Sequence, residues 1–412
     1  MSVDAFVQHA PHPYYEVHDD CLTIDGRSLL EVAAQAGGTP FYVYSREYMT
    51  TRVRELRSTL PEGIHLHYAV KANPMPAVVS HMAGLVDGLD AASAREVQLG
   101  LDAGAHARCI SFAGPGKTIL ELEQAAAAGI VVNVESEREI KILADVGRRS
   151  TSKPRIAIRV NPDFELRTSG MKMGGGPKQF GIDSERVPEI LAGLAGLPLE
   201  FVGFHIFSGS QNLRADSIVE AQQKAVDLAI RLARRAPAQV RLLNIGGGFG
   251  IPYFPGDQPL ETAPIAANLK RLLPAVRQHL PDAHLVIELG RYLVGECGLY
   301  VCKVIDRKVS RGHTFLVTDG GLHHHLAASG NFGQVIRKNY PVLIGNRVRG
   351  SQREIASVVG PLCTPLDLLA DRMDLAVAVE GDLVAIFQSG AYGLTASPLR
   401  FLGHPEPIEL VV

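Results

Sequence analysis

The chain has 412 residues, more than one ordinary hydrophobic core accommodates and enough for two domains. Lysine and arginine total 41 against 43 aspartate and glutamate residues, and the net charge of -2 excludes a broad attraction to nucleic acid or to anionic membranes. Hydrophobic residues make up 46% of the chain, yet no apolar run is long enough to span a bilayer.

The N-terminus and the cysteines predict a cytoplasmic protein without a disulfide framework or a structural zinc site. The first twenty residues lack the basic start and the apolar core of a signal peptide. The five cysteines include no C-x-x-C pair, which argues against a disulfide framework or a structural zinc site and for a reducing compartment.

From about residue 46 to residue 290, short apolar runs rich in β-formers alternate with amphipathic segments rich in alanine and leucine. The eight runs are IHLHYAV, VDGLDA, CISFAG, GIVVNVE, RIAIRVN, FVGFHIF, RLLNIGGG and HLVIELG. Strand–helix alternation indicates parallel strands joined by right-handed crossovers. Eight such units predict an α/β fold with a closed (β/α)8, TIM-like barrel over 46–290.

After residue 290 the pattern changes to strand-like segments with few helices between them, such as GLYVCKVIDRKVS and GDLVAIFQSGAYG. We expect a separate β domain, a β-sandwich or a β-barrel, over 291–412. Residues 1–45 contain the strand-like segments CLTIDG and FYVYS and are expected to join this domain.

In (β/α)8 barrels the active site lies at the C-terminal ends of the strands. At these positions the predicted strands carry a lysine, several carboxylates, a histidine and glycines: Lys71, Asp90, Gly114, Glu135, Asn161, His205, Gly246 and Glu288. Lys71 alone is as well explained by a solvated charge as by an amine that forms a Schiff base. Together, however, these residue types indicate one catalytic site.

The glycines of NIGGGFG, Gly246, Gly247 and Gly248, follow the seventh predicted strand. They leave backbone N–H groups uncovered, and barrels usually bind phosphate with the loops after strands seven and eight. A Rossmann fingerprint is a weaker interpretation because the G-x-G-x-x-G spacing is absent. A tight turn explains one glycine better than it explains three.

Glu288 ends the eighth predicted strand, and a buried carboxylate there needs a partner. Arg291 is the obvious structural partner. In the functional interpretation, Glu288 instead faces a protonated ring nitrogen, and Arg291 binds a phosphate or a substrate carboxylate. A lysine, a phosphate site and a carboxylate in this arrangement predict pyridoxal 5'-phosphate as the cofactor.

Eight motifs resemble the fold-type III pyridoxal-phosphate decarboxylases, the family of diaminopimelate, ornithine and arginine decarboxylases. They are YAVKANP, DAASARE, QFGID, FHIFSGSQ, NIGGGFG, ELGRY, GPLCTPLD and SGAYG, and they cover nearly the whole chain. The chain is also similar to the decarboxylases associated with exosortase A exopolysaccharide loci. It is similar as well to the butirosin decarboxylase, which acts on glutamate carried on an acyl carrier protein. The resemblance implies a carboxy-lyase of exopolysaccharide or secondary metabolite biosynthesis.

The resemblance also implies a role for individual residues. Lys71 holds the cofactor, Glu288 pairs with its ring nitrogen, and Cys363 from the partner subunit of a homodimer returns a proton to the substrate. The implied cofactor contacts are Lys71, Asp90, His205, Phe207, Ser210, Gly246, Gly247, Gly248, Glu288, Gly290, Arg291 and Tyr392. The implied substrate contacts are Asp319, Thr364 and Arg291.

Two positions depart from the family pattern. Phe207 stands where the family has a histidine that stacks on the cofactor ring, and His205 lies two residues earlier on the same predicted strand face. Thr364-Pro365 follows Cys363, where ornithine and diaminopimelate decarboxylases have an acidic residue that meets a substrate amine. The neutral pair favours an amino acid or aminoacyl conjugate without a free distal amine.

Three alternatives to this function stay open. A diaminopimelate decarboxylase, or another decarboxylase of a free basic amino acid, is weakened only by Thr364-Pro365. An amino acid racemase of similar design needs a less protonated ring nitrogen, which Glu288 opposes. A non-catalytic pyridoxal-phosphate carrier would resemble the barrel alone.

Two further segments attract attention. The run His323, His324 and His325 suggests a metal site, but consecutive side chains on a strand point to opposite faces and seldom chelate together. The glycine-rich segment RTSGMKMGGGPKQFG is expected to be a lid near the substrate. Its Lys172 and Lys178 are candidates to contact the phosphate of a carrier arm.

Overall fold

The computed structural model describes residues 9–12, 14–165, 171–172, 174–334 and 337–412, with the side chains of 171–172 left undescribed. The chain divides into two compact units. One unit, the barrel unit, comprises 52–251 and 260–292, and the other, the β unit, comprises 1–51, 252–259 and 293–412.

The barrel unit contains eight parallel strands that close on themselves, which confirms the predicted (β/α)8 barrel. The strands are β1 (Ile64–Ala69), β2 (Gly88–Ala91), β3 (Ile110–Phe112), β4 (Val131–Val134), β5 (Arg155–Asn161), β6 (Glu200–Ile206), β7 (Leu242–Gly247) and β8 (His284–Leu289). Neighbours along the chain pair with each other, with register shifts between β5 and β6 and between β7 and β8, and β8 closes the barrel against β1. Their side chains are almost all buried, as expected for strands covered on both faces.

Within the described part of the chain, seven helices follow the barrel strands. They are α1 (Pro76–Ala83), α2 (Ala94–Asp102), α3 (Ile119–Ala128), α4 (Glu137–Arg149), α5 (Val187–Gly193), α6 (Ala215–Ala233) and α7 (Ala263–His279). The start of α3 is a capping box, in which the side chains of Thr118 and Glu121 each accept a backbone N–H of the other residue. Its end is Gly129, whose φ of 72° is the left-handed conformation that glycine adopts most readily.

Short elements border the barrel near the carboxyl ends of β5 and β6. Ile182–Asp183 pairs in parallel with β5, and Met171–Lys172 pairs in antiparallel fashion with Gly209–Ser210. The helix Arg46–Thr59 precedes β1, and the short helix Arg291–Val294 follows β8. Single 3-10 turns span Val70–Ala72, Ala107–Cys109, Gly295–Cys297, Leu394–Ala396 and Phe401–Gly403.

The β unit is built around the long strand Gly298–Ser310, which pairs with Phe41–Tyr44, His313–Thr318 and Leu383–Ile386. Its main sheet also contains Val342–Ile344, Arg353–Val359, Leu368–Ala376 and Ile408–Val411. A smaller sheet contains Glu16–His18, Cys21–Ile24 and Arg27–Ser28, and the helix Leu29–Gln35 follows it. One buried core cluster joins these elements through residues such as Leu22, Leu29, Phe41, Leu299 and Phe387.

Within the described residues, no helix combines the length and the apolar character needed to cross a membrane.

Candidate active site

Lys71 lies directly beyond β1, in the turn Val70–Ala72, and is half-buried. The turn is fixed from within, because the Tyr68 hydroxyl donates to the Asn73 carbonyl at 2.9 Å and the Asn73 side chain accepts the Met75 N–H at 3.0 Å. Lys71 Nζ lies 5.8 Å from the centroid of the Phe207 ring. The barrel therefore holds this amine at its carboxyl-terminal mouth, against an aromatic face.

Glu288 is buried near the end of β8 and has two polar neighbours. His205 Nε2 lies 3.1 Å from Glu288 Oε2, and Asn244 Nδ2 donates to the same oxygen at 3.3 Å. Burial raises the pKa of Glu288, but the hydrogen bond and positive charge of His205, together with the charge of Lys71, outweigh it and lower the pKa to about 2. Glu288 therefore stays ionised at neutral pH.

The structure corrects the expected strand position of Phe207. Strand β6 ends at Ile206, so the alternation of side chains no longer applies to Phe207. His205 points to Glu288, whereas Phe207 lies near Lys71, and the two rings are 6.4 Å apart. His205 Nδ1 is buried and has no hydrogen-bond partner within the described residues.

Asp90 lies in β2, deeper in the barrel, and is engaged by two side chains. His67 Nδ1 lies 3.2 Å from Asp90 Oδ2, and the Ser111 hydroxyl donates to the other carboxylate oxygen. Burial lowers the pKa of His67, but the charge and hydrogen bond of Asp90 outweigh it and raise the pKa overall. A histidine–carboxylate pair thus occupies the barrel interior below Lys71.

The glycines at the carboxyl ends of β7 and β8 leave room that a side chain would fill; Gly246 and Gly247 end β7 itself, whereas the sequence predicted them after the strand. Gly246 and Gly248 have φ angles of 69° and 76°, in the left-handed region. A Cβ at Gly247 would collide with the Glu288 carbonyl, and a Cβ at Gly290 would lie 2.8 Å from the Ala72 Cβ. The Asn244 side chain accepts the Gly246 N–H at 2.8 Å and so fixes the start of this turn. Half-buried Arg291 follows Gly290 directly.

Glu135, at the end of β4, belongs to a buried ion network. Its carboxylate lies 2.8 Å from Arg159 Nη1 and accepts the Gly181 N–H at 3.0 Å. Lys117 Nζ lies 3.1 Å from Glu139 and 3.9 Å from Glu135. With every oxygen of Glu135 engaged by these groups and by a backbone N–H, this residue positions loops rather than binding a ligand.

Other expected site residues lie near these elements or in the β unit. Ser210 is half-buried in the strand Gly209–Ser210, and Tyr392 is half-buried with a φ of 54°. Asp319 accepts the Lys303 N–H at 2.8 Å and the Thr39 hydroxyl proton. Cys363 is exposed and unpaired with any cysteine.

The expectations for the lid and the histidine run have different outcomes. Within the predicted lid, 166–170, residue 173 and the Lys172 side chain lie outside the described residues, and Lys178 is half-buried. The expected strand at His323–His325 is wrong, because His323 and His324 lie in a turn and His325 follows it outside any strand. Burial lowers the pKa of His323 to about 3. The described residues contain no group of three ligand side chains arranged to hold a metal.

Three comparisons place this geometry among known proteins. Residues 46–295 match the family model described as pyridoxal-dependent decarboxylase, pyridoxal binding domain. The L-glutamyl-(BtrI acyl-carrier protein) decarboxylase of Niallia circulans is 38% identical over 90% of this chain and 88% of the relative. The chain belongs to the pyridoxal-dependent decarboxylase family.

Further relatives of this decarboxylase support the assignment. The diaminopimelate decarboxylase of Aquifex aeolicus is 34% identical over 97% of this chain and 93% of the relative. The crystal structure of Helicobacter pylori diaminopimelate decarboxylase complexed with L-lysine superposes with a TM-score of 0.82 at 28% identity, covering 93% of this chain and 94% of that one. The resemblance seen in the sequence motifs is confirmed, as are the decarboxylase activity and the pyridoxal-phosphate dependence.

The barrel residues of this decarboxylase fit the cofactor. The glycine turn accommodates a phosphate, Lys71 offers an amine, and ionised Glu288 suits a protonated ring nitrogen. Pyridoxal phosphate, when bound, withdraws electrons from the substrate α-carbon. Sequence reasoning did not anticipate His67 or Asn244, whose roles depend on contacts across the barrel. Both residues lie in segments that the sequence analysis names, His67 in IHLHYAV and Asn244 in NIGGGFG.

Proposed function

We propose that this decarboxylase removes the α-carboxylate of an aminoacyl group that is carried on an acyl carrier protein and has no free distal ammonium. The observation that carries the proposal is the loop after Cys363, where Thr364 and Pro365 stand in place of an acidic residue. An ammonium bound there without a compensating charge would cost on the order of several kcal/mol.

The contacts of this loop support the proposal. Asp367, the one carboxylate within 360–367, is buried, and its two oxygens accept the N–H groups of Leu322 at 2.6 Å and Leu362 at 2.8 Å. The Thr364 hydroxyl oxygen accepts the Leu366 N–H at 3.3 Å. The described loop therefore offers a thiol and a hydroxyl, and its carboxylate is already bonded within the β unit.

A relative points to the same substrate class. The Niallia circulans enzyme acts on an L-glutamyl group attached to an acyl carrier protein, and it is 38% identical to this chain. A carrier-bound substrate reaches the enzyme on a phosphopantetheine arm, and Lys178 is a candidate to contact the phosphate of that arm.

In the proposed reaction, each site residue has a defined task. Lys71 would hold the cofactor through its amine, and Glu288 would keep a proton at the ring nitrogen. Cys363 returns a proton to the α-carbon. The phosphate and ring contacts are Asp90, His205, Phe207, Ser210, Gly246, Gly247, Gly248, Gly290, Arg291 and Tyr392. The substrate contacts are Asp319, Thr364 and Arg291.

The test of the substrate measures CO2 release from two sets of compounds. One set is free diaminopimelate, ornithine, lysine and arginine, and the other is glutamyl and other aminoacyl thioesters of a carrier protein. We expect turnover of a thioester at least about tenfold more efficient than of any free amino acid, the factor that 1.4 kcal/mol of binding energy provides. Efficient turnover of free diaminopimelate, with inert thioesters, would restore the diaminopimelate decarboxylase interpretation.

We further propose a cytoplasmic homodimer with shared active sites. The β domain, 1–45 with 291–412, supplies Cys363 to the barrel domain, 46–290, of the partner subunit. Cys363 is exposed in the single chain, as a residue that completes another subunit's site must be. The five free cysteines support a reducing compartment.

Subunit complementation tests the shared site. Lys71→Ala and Cys363→Ala homodimers are each expected to be inactive, whereas a mixed dimer contains one site in which both groups are intact. Mixing the variants should therefore restore activity toward about a quarter of the wild-type value, because half of the dimers are mixed and each has one working site out of two. Absence of recovery after confirmed subunit exchange would place Cys363 in its own subunit's site or outside the chemistry.

A further inference from the structure

The amino-terminal mouth of the barrel, at the opposite end from Lys71, contains a cavity of about 480 Å³. All eight barrel strands or the residues just before them contribute to its wall. Its polar wall includes Arg108, Arg155, Arg241, Asp87, His65 and His284. A cavity of this size is typical of sites for small molecules.

Positive charge dominates this cavity. Three arginines and one aspartate line it, and the Asp87 carboxylate is already bonded to the Leu66 N–H at 2.7 Å and to Arg57. Glu200 is not part of the cavity wall, but its carboxylate lies near two of the arginines. Its Oε1 lies 2.5 Å from Arg241 and 3.8 Å from Arg155.

The arginines are close enough to repel one another. Burial lowers the pKa of Arg155, Glu200 opposes this effect, and the charges of Arg108 and Arg241 lower the pKa further. The Arg155 Nε atom is buried without a hydrogen-bond partner within the described residues. The Arg108 side chain forms no ion pair with any described residue, and it is exposed.

A purely stabilising role does not account for this arrangement. Side chains at this end of a barrel ordinarily serve stability, which favours arginines that are each paired with an acid. Counting Arg57, four guanidinium groups face two carboxylates here among the described residues, an excess of two positive charges. Converging, incompletely paired guanidinium groups have the geometry that recognises phosphoryl oxygens.

Two histidines add hydrogen-bonding groups to the same wall. His284 Nδ1 lies 2.8 Å from His65 Nε2, so each ring retains its second nitrogen for another partner. Burial and the charge of His284 lower the pKa of His65, which favours a neutral ring that can donate as well as accept.

We propose that this mouth binds a small anion whose phosphoryl groups bear two or more negative charges. Arg108, Arg155 and Arg241 hold this anion. The site is separate from the cofactor phosphate site, which lies at the carboxyl ends of β7 and β8. Its inner wall includes His67, whose Nδ1 lies 3.2 Å from Asp90. His67 therefore connects the proposed anion site to Asp90, a residue implied to contact the cofactor.

Inorganic pyrophosphate is the probe for the test. Binding to the cofactor-saturated, full-length protein is measured by calorimetry at constant ionic strength, so that the cofactor phosphate site is already filled. We expect saturable binding that weakens about tenfold or more in Arg108→Gln and in Arg241→Gln, because each variant removes a charge-assisted contact. The matched control is Arg148→Gln, which removes an exposed arginine of α4 that is paired with Asp145.

Two results would overturn the proposal. One is the absence of saturable pyrophosphate binding to the wild-type protein. The other is binding by Arg108→Gln that equals binding by Arg148→Gln. Arg108 is exposed and forms no ion pair with a described residue, so its variant is expected to fold even if Arg241→Gln does not, and the comparison remains decisive.

Discussion

Lys71→Ala is expected to abolish turnover, with a loss of about three orders of magnitude or more, because the amine placed to bind the cofactor covalently is removed. The structure motivates this expectation by placing Lys71 Nζ 5.8 Å from the Phe207 ring, at the carboxyl ends of the barrel strands. Purified wild-type protein should show a visible absorption band from the bound cofactor, and Lys71→Ala should lack that band.

The attachment point can be read directly by mass spectrometry. After borohydride reduction, the wild-type protein should carry the cofactor mass on the peptide that contains Lys71. Lys224→Ala is a matched control, since it removes an exposed lysine of α6 that pairs with Glu220 at 2.6 Å. This control should keep both the label and the absorption band. Label on another lysine, or an unchanged band in Lys71→Ala, would contradict the assignment.

The barrel was predictable because its signals are local. Each strand is a short run bounded by turn residues, and a helix start is signalled by residues close together in sequence, such as Thr118 and Glu121 three positions apart. The carboxyl ends of the strands then identified Lys71 and Glu288 without any knowledge of contacts. The resemblance to known decarboxylases added the β domain residues, which no spacing argument connects to the barrel.

The side-chain contacts made by the predicted site residues were not predictable from these local sequence patterns. His67 and Asp90 come from neighbouring strands, and their 3.2 Å approach depends on barrel closure and register. The error at Phe207 has a similar origin, because a strand end shifted by one residue cancels an argument based on alternation. Asp367 is a further case, since its two backbone partners, Leu322 and Leu362, are distant from each other in sequence.

Glu288→Gln is expected to keep the cofactor bound while lowering turnover by about a hundredfold or more, the scale of losing one electrostatic contact to the reacting system. The reason lies in its surroundings. Although burial alone would raise the pKa of Glu288, His205 at 3.1 Å and the charge of Lys71 lower it to about 2. The wild-type side chain is therefore an anion that can hold a proton at the ring nitrogen, and a neutral amide cannot.

Two further variants separate charge from packing. Glu288→Asp keeps the negative charge and should retain more activity than Glu288→Gln. Glu123→Gln removes an exposed carboxylate paired with Arg149 at 3.1 Å and should behave as wild type. The absorption spectrum of the bound cofactor, followed against pH, provides a second measurement: the ring-nitrogen proton should be lost at lower pH in Glu288→Gln than in the wild type, because the stabilising anion is gone. If Glu288→Gln has wild-type turnover and an unchanged spectral titration, the chain does not depend on Glu288 to keep the ring nitrogen protonated.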